Sequence, residues 1–362
     1  MRELQKLEER VVLELRRLYQ RYGYAQFKMS KFEAYDLYMQ NKEFLVSAGI
    51  ITFTDTDGTL MALKPDVTLS IVKNYRSAPL QKVCYSENVY RVSGASRSYR
   101  EIMQTGLECM GDVGLYEISE TILLAVRSLQ AISPSYLLDV SHLDIVSQVL
   151  ASAGLDREQS AEALRCIAEK NEDGLQRLCA GLPQAQTQQL MDLLQISGPL
   201  PEAVSKLDTL SDAPAVQELK QLAALLHQQG LADRVNLDFS IVSDLNYYNG
   251  FVFRGYVEGI PESILSGGQY DRLMEKMGKP AKGVGFAVYL DQLELLETRT
   301  AEHDVDTVLL YGPESSLAEL TEAANTLSAD GVLLLKEIPE KLRYRRLMKL
   351  VDGRLEEIEN HG

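Results

Sequence analysis

Residues 143–232 form a long Leu- and Ala-rich block of helical texture, and strand-like segments flank it on both sides. Breaks near Pro183, Gly198-Pro199-Leu200-Pro201 and Gly230 divide the block, and Asp156 reads as a helix cap within it. The strands before and after the block are expected to close one sheet, with the block as an all-α insertion. That order predicts a mixed α+β main domain with an antiparallel sheet.

Outside the block each segment declares its own period. Residues 3–22 place Leu4, Leu7, Val11, Val12, Leu15 and Leu18 on one apolar helical face, which Gly23 ends. Between 50 and 111, the segments ITFT, TLMAL, LQKVCYSENVYRV and YREIMQTGLECMG read as strands, rich in β-branched and aromatic residues. Asp57-Gly58 reads as a hairpin turn. Residues 115–130 return to a helical period. After the block, VNLDF, FVFRGYV and GVGFAVYL read as strands and 270–277 as a helix. The tail, 301–362, reads as strand, helix, strand, helix, with the last helix over EKLRYRRLMKLVDGRLEEI. The expected domains are a core from 1–142 and 233–298, a helical insertion over 143–232, and a small C-terminal α/β unit over 301–362.

The chain's 362 residues suffice for two or three domains with a large core. Its 37 basic and 52 acidic residues leave a net charge of −15, which argues against general binding to nucleic acid or acidic membranes. Cys84, Cys109, Cys166 and Cys179 form no CxxC pair, and His142, His227, His303 and His361 are scattered. No zinc spacing follows, so no metal site is expected, and no cofactor. Four thiols without a pairing pattern fit a reducing cytoplasm. The N-terminus, MRELQKLEERVVLELRRL, is charged throughout, so neither a secretory signal nor a membrane span is expected there.

Four segments, in order, carry a resemblance. Residues 60–73 read LMALKPDVTLSIVK, and 82–111 read KVCYSENVYRVSGASRSYREIMQTGLECMG. Residues 242–256 read VSDLNYYNGFVFRGY, and 266–293 read SGGQYDRLMEKMGKPAKGVGFAVYLDQL. They resemble the signature segments of histidyl-tRNA synthetases: L-R-P-E-x-T, then F-R-x-E … G-R-x-R-E-F-x-Q-x-G-x-E-x-x-G, then V-R-G-L-D-Y-Y-x-G-x-x-F, and a final G-L-E-R-L. The paired tyrosines are the most specific element. The resemblance covers most of 20–297. It implies a class II aminoacyl-tRNA synthetase-like antiparallel sheet with flanking helices.

The same resemblance implies a histidine pocket built from Asp66, Thr68, Gln104, Glu108, Tyr247 and Tyr248. The chemistry is coherent. An ammonium needs a carboxylate, and an imidazole needs one partner per nitrogen, which a carboxylate and a phenol supply. The alternative is that Gln104 and Glu108 merely share one face of a strand and are satisfied by neighbours.

Adenylation needs more, and here the chain departs from the family. The arginine positions of the last two signatures hold Ser243 and Gln292, and the motif 2 glutamate position holds Ser93. Ser30 stands where motif 1 has proline, and Asn246 where the family has aspartate. Arginine grips carboxylate or phosphate with a permanently charged fork, which serine and glutamine cannot do. Arg91 survives in motif 2, but with Arg97 and Arg100 it reads as a solvated basic edge. Gly267-Gly268 and Gly283–Gly285 lack the Lys-Ser/Thr of a phosphate loop and read as close packing. The tail carries 7 basic and 13 acidic residues, 7 − 13 = −6, so its cluster Lys341, Arg343, Arg345, Arg346 and Lys349 reads as a solvated helix face. No catalytic residues are expected.

The leading expectation is a likeness to the regulatory subunits of short-form ATP phosphoribosyltransferase, synthetase-like proteins of histidine biosynthesis. That implies a separate catalytic ATP phosphoribosyltransferase subunit as partner, a homodimeric core with the N-terminal helix and residues 30–50 near the interface, and L-histidine as effector. No tRNA is expected to bind. The alternatives are a divergent but active histidyl-tRNA synthetase and an interaction module with a vestigial pocket.

Overall fold

The structure is a computed structural model that describes residues 6–45, 49–92, 98–207, 214–242, 247–296, 303–327, 331–351 and 353–361. Ser93, Arg97, Ser243 and Asn246 therefore lie outside the described residues. The chain divides into two compact units, Val11–Gln292 and a second made of Met1–Arg10 and Leu293–Gly362.

Helix α1 (Leu7–Arg21) leads to β1 (Ala25–Gln26). Its buried residues, Val11, Leu15 and Tyr19, recur every four positions, the spacing that keeps one helical face apolar. A small antiparallel sheet follows from β2 (Phe32–Ala34), β3 (Thr52–Thr54) and β4 (Leu60–Leu63), with α2 (Tyr35–Met39) between the first two. The expected hairpin turn at Asp57-Gly58 joins β3 to β4, and Gly58 has φ +89°, open to glycine without strain. After α3 (Thr68–Lys73) come the long antiparallel strands β5 (Leu80–Val92) and β6 (Tyr99–Gly111). Helix α4 (Leu115–Ile132) and β7 (Tyr136–His142) precede the helical block.

Within the block run α5 (Leu143–Ser152), α6 (Arg157–Ala168), α7 (Glu172–Leu178), α8 (Gln184–Gln195), β8 (Ser197–Pro199), α9 (Leu200–Val204) and α10 (Pro214–Gln228). Asp156 caps α6 with a reciprocal pair of bonds to Gln159. The main unit closes with β9 (Val235–Asp238), β10 (Asn249–Val257), β11 (Leu265–Gln269), α11 (Asp271–Lys276) and β12 (Lys282–Tyr289).

Among the described residues the main sheet has nine strands in the order β1-β5-β6-β12-β11-β10-β7-β9-β8. Strands from before and after the helical block thus share one sheet, as their order in the chain predicts. Pairing is antiparallel except at β1–β5 and β7–β9. Helices α1 and α4 cover one face. Tyr19 packs edge-on against Phe286 with centroids 5.9 Å apart, and its hydroxyl lies 3.0 Å from Ser128 Oγ. The opposite face carries the candidate site.

Four strands of this sheet, β1, β7, β8 and β11, are not among those read from the sequence, and β8 lies inside the block expected to be all-α, where it pairs with β9. Strand β11 contains Gly267 and Gly268, which β-propensity disfavours. Tertiary crowding explains them: a Cβ at Gly267 would meet the Gly285 carbonyl and Phe286, and one at Gly268 would lie 2.7 Å from Tyr248 Cδ1. These glycines sit in strands, so close packing, not a phosphate loop, is their role.

The second unit holds β13 (Val305–Leu310), α12 (Leu317–Leu327), β14 (Val332–Leu335), β15 (Tyr344–Val351) and β16 (Arg354–Asn360). They form a four-stranded sheet in the order β14-β13-β15-β16. The helix expected over 340–358 is therefore wrong: the segment is a β-hairpin. Two facts decide against the helix. Gly353, at φ +73°, sits between paired Val351 and Arg354, and the Asp-Gly sequence there is a strong hairpin signal unsuited to a helix interior. Met348 and Leu350 also bury against Leu309, Ala323 and Leu327 on a period of two. The basic cluster lies on and before a strand, not on a helix. Arg343 Nη2 is 2.7 Å from Asp304 Oδ1, and Arg345 Nε is 2.7 Å from Asp306 Oδ1, so acids of the neighbouring strand and its approach pair with it.

Candidate functional site

Strand alternation builds the floor of the site. Register across the sheet puts Gln104, Gly106 and Glu108 of β6 opposite Tyr289, Ala287 and Gly285 of β12. Ala287 and Gly285 in turn face Ser266 and Gly268 of β11, and Ser266 faces Arg254 of β10. Because alternate residues share a face, all of these emerge on the side away from α4. Three of them are glycines, and their missing side chains give the floor its depth. A Cβ at Gly106 would lie 2.6 Å from the Tyr85 hydroxyl, and one at Gly285 would overlap Glu108 Oε2.

Loops and a helix start supply the walls. Phe44 and Leu45 come from the turn after α2, Asp66 and Thr68 from the start of α3, Tyr247 and Tyr248 from the approach to β10, and Tyr270 from the residue before α11. Together they enclose a cavity of about 320 Å³, the size of a small-molecule site. All six residues of the sequence-derived pocket line it: Asp66, Thr68, Gln104, Glu108, Tyr247 and Tyr248. Gln104 and Glu108 do share a strand face, and that face is the cavity floor.

Five further polar side chains line the cavity and were not read from the sequence: Tyr85, Arg254, Ser266, Tyr270 and Tyr289. The signal for Arg254 was present. It is a lone cation inside FVFRGYV, a strand whose other residues are apolar, aromatic or glycine. Arg91 also lines the cavity, half-buried, with its Nε donating to the Pro65 carbonyl at 3.0 Å. That corrects its reading as a solvated edge. Arg100 does fit that reading: it is exposed and lies 3.3 Å from Asp291. Gln292, at the lost arginine position, does not line the cavity.

Burial sets the electrostatics. Glu108 is 2% exposed and its carboxyl is pushed up to about 8 by desolvation, against the smaller opposing effects of the Tyr270 and Thr68 hydroxyls. Its Oε1 accepts from Thr68 Oγ1 at 2.8 Å, whereas Oε2 is buried with no hydrogen-bond partner. The Tyr270 hydroxyl is near enough to affect Glu108 but likewise makes no hydrogen bond within geometric limits. Asp66 is also raised by burial, opposed by the Leu69 amide, which donates to Oδ1 at 2.8 Å, and by Arg91. Desolvation holds the hydroxyls of Tyr85, Tyr247, Tyr248 and Tyr270 well above the ordinary phenol value, so they stay protonated donors. Tyr247 and Tyr248 pack edge-on at 4.5 Å.

The cavity therefore offers two carboxyls, two guanidiniums, an amide and several phenols around a volume suited to one amino acid. Among the described residues, no group of three or more His, Cys, Asp and Glu side chains converges to hold a metal ion. Nor is any helix there long and apolar enough to cross a membrane.

Comparison with known proteins follows the same outline. An ATP phosphoribosyltransferase regulatory subunit of Clostridium novyi is 25% identical over 95% of this chain and 87% of its own length. One from Clostridium kluyveri is 27% identical over 88% and 86%. A crystal structure of an ATP phosphoribosyltransferase regulatory subunit/histidyl-tRNA synthetase from Bacillus halodurans superposes with a TM-score of 0.73, covering 94% of this chain and 93% of that one at 24% identity, a likeness of fold. The family model for histidyl-tRNA synthetase matches residues 2–293. With that span covering the cavity and the whole main sheet, the chain belongs to the histidyl-tRNA synthetase family.

Proposed function

We propose that this chain is the non-catalytic regulatory subunit of a short-form ATP phosphoribosyltransferase, acting in the first step of histidine biosynthesis and sensing L-histidine in the cavity. The observation that carries the reading is a division within the site. The amino-acid half is assembled: six pocket residues surround one cavity. The activation half has lost its charges at Ser243 and Gln292. A ligase needs both halves, whereas a sensor needs only the first. The curated relatives, matched over most of the chain, carry the name of such a subunit.

In this reading the transfer of phosphoribosyl from its pyrophosphate to ATP belongs to the catalytic partner. This chain forms the dimeric body on which that partner assembles. Histidine bound among Asp66, Glu108, Tyr247 and Tyr248 biases the assembly toward its inhibited state, which requires different affinities for the two states. The tail's net charge of −6 disfavours recruitment of tRNA.

Co-expression with a candidate short catalytic subunit tests the proposal. The two chains should co-purify, and transferase activity should depend on this chain and fall with added histidine. A catalytic subunit that is fully active alone and unaffected by this chain would refute it.

A further inference from the structure

We infer that Arg254 receives the carboxylate of the amino acid held in this cavity, in place of the arginine lost at Ser243. The inference rests on the histidine-sensing reading above.

Arg254 sits in the middle of β10, where Phe253 and Gly255 turn to the α4 side and are buried. Its own side chain emerges on the cavity face and lines the cavity. Directly across the strand pair stands Asp139 of β7, a carboxylate whose Oδ1 is buried without a hydrogen bond. An arginine placed for structure alone would pair there. Instead, among the described residues, Arg254 makes no ion pair. Its charge is felt at Tyr256 beside it and at Tyr289 of β12, on the cavity side. Asp139 responds to Asp238, Asn236 and Lys170 instead. The guanidinium thus lines the cavity, with Tyr256 engaging one of its five donors.

Arg91 is the rival cation: its charge is felt at Tyr289 more strongly than that of Arg254, but its Nε is committed to the Pro65 carbonyl and its charge also acts on Asp66. The cavity is therefore polar along its length. Carboxyls Asp66 and Glu108 lie at one end, and Arg254 stands three strands away from Glu108 along the sheet. At about 4.8 Å per strand that is roughly 14 Å across the sheet, with Arg254 level with Gly106, and the long Arg254 side chain reaches into that span to line the cavity. A zwitterion fits this arrangement, with its ammonium toward the acids and its carboxylate toward Arg254. The site would then select free α-amino acids over their alcohols and amides, since only the acid offers the guanidinium a charged partner.

Calorimetry on the full chain tests this with L-histidine, L-histidinol and L-histidinamide. Wild-type protein should bind histidine roughly tenfold to a hundredfold more tightly than either analogue, the value of one charged hydrogen bond. In Arg254→Gln that preference should collapse to near unity, with histidinol binding little changed. Arg254→Lys, which keeps the charge but not the fork, should retain part of it. The ratio between ligands controls for any general loss of fold. A preference that survives in Arg254→Gln, or collapses only in Arg91→Gln, would overturn the assignment while leaving histidine sensing intact. Equal binding of all three by wild-type protein would also overturn it. Binding of none would remove the histidine reading and this subsite with it.

Discussion

Thr68 Oγ1 donates a 2.8 Å hydrogen bond to Glu108 Oε1, and the second oxygen of the same carboxyl is buried without any hydrogen bond. Half of Glu108 is thus fixed by the protein and half is left for something else. A buried polar atom without a partner is costly, and sites that bind ligands are where such atoms are found. Gly285, across the strand pair, is what leaves the space open.

Glu108 makes stability depend on pH in a definite direction. Its carboxyl titrates near 8 in the folded chain and near the ordinary 4.5 when unfolded. Below 4.5 both states hold the proton and the group contributes nothing. Between 4.5 and 8 the folded state keeps a proton that the unfolded state has released, so stability falls as pH rises. Above 8 the penalty is complete. Glu108→Gln removes this titration. Thermal melts across that range should show the variant gaining on wild type up to about 8 and no further. A constant difference in melting temperature would show that the carboxyl is already ionised.

Gly285→Ala is expected to destabilise the main unit by about 1–3 kcal/mol, the usual cost of overpacking. The added methyl would overlap Glu108 Oε2 and crowd the Leu107 carbonyl at 2.5 Å. Combining it with Glu108→Ala should cost less than the sum of the two single changes, since one clash is relieved. Denaturant melts of the four proteins give the coupling directly, and strict additivity would mean the two residues do not compete for space.

These residues also show what a sequence can and cannot disclose. Strands β5 and β6 were legible to the residue, because long runs of β-branched and aromatic residues ended at clear turns. Asp66, Thr68, Gln104, Glu108, Tyr247 and Tyr248 were legible through spaced motifs. Strand β11 was not, because its glycines answer to neighbours on other strands. The tail misled for a different reason. Leu347, Leu350 and Val351 fall at helical spacing, and the charged residues around them favour helix. Pairing with β13 and the turn at Gly353 overrode that preference. Arg254 stands out in the sequence as a lone cation in an apolar strand, but its place on the cavity face depends on register, which sets Ser266 beside it.

The purified chain should not activate histidine. Losing one preorganised contact to a developing charge typically costs ~10²–10³ in rate, and two arginine positions are empty of charge here, at Ser243 and Gln292. Arg91 does not restore the function, since its Nε is tied to the Pro65 carbonyl and its charge to Asp66, and the carboxylate-binding role inferred for Arg254 leaves it none for phosphate. Histidine-dependent exchange of pyrophosphate into ATP should therefore stay at background. Exchange at the rate of an ordinary synthetase would favour an active, divergent ligase.

Feedback by histidine should be separable from assembly. Asp66 accepts from the Leu69 amide at 2.8 Å, so replacing it with alanine would also uncap α3. Asp66→Asn keeps an acceptor for that amide and removes only the charge offered to a ligand ammonium. Glu108→Gln likewise keeps the shape of the site. Asp66→Asn should weaken histidine inhibition of the complex with its catalytic subunit by about tenfold to a hundredfold, the range of one charged hydrogen bond, and Glu108→Gln should do so chiefly above about pH 8, where that carboxyl is charged. Co-purification should be unaffected, because both side chains lie on a cavity floor and wall instead of an outer surface. Inhibition curves measured on the reconstituted complex decide the matter. If both variants are inhibited like wild type, histidine acts at another place, on the catalytic subunit or where the subunits meet. If either variant fails to assemble, the cavity is part of the scaffold as well as the sensor.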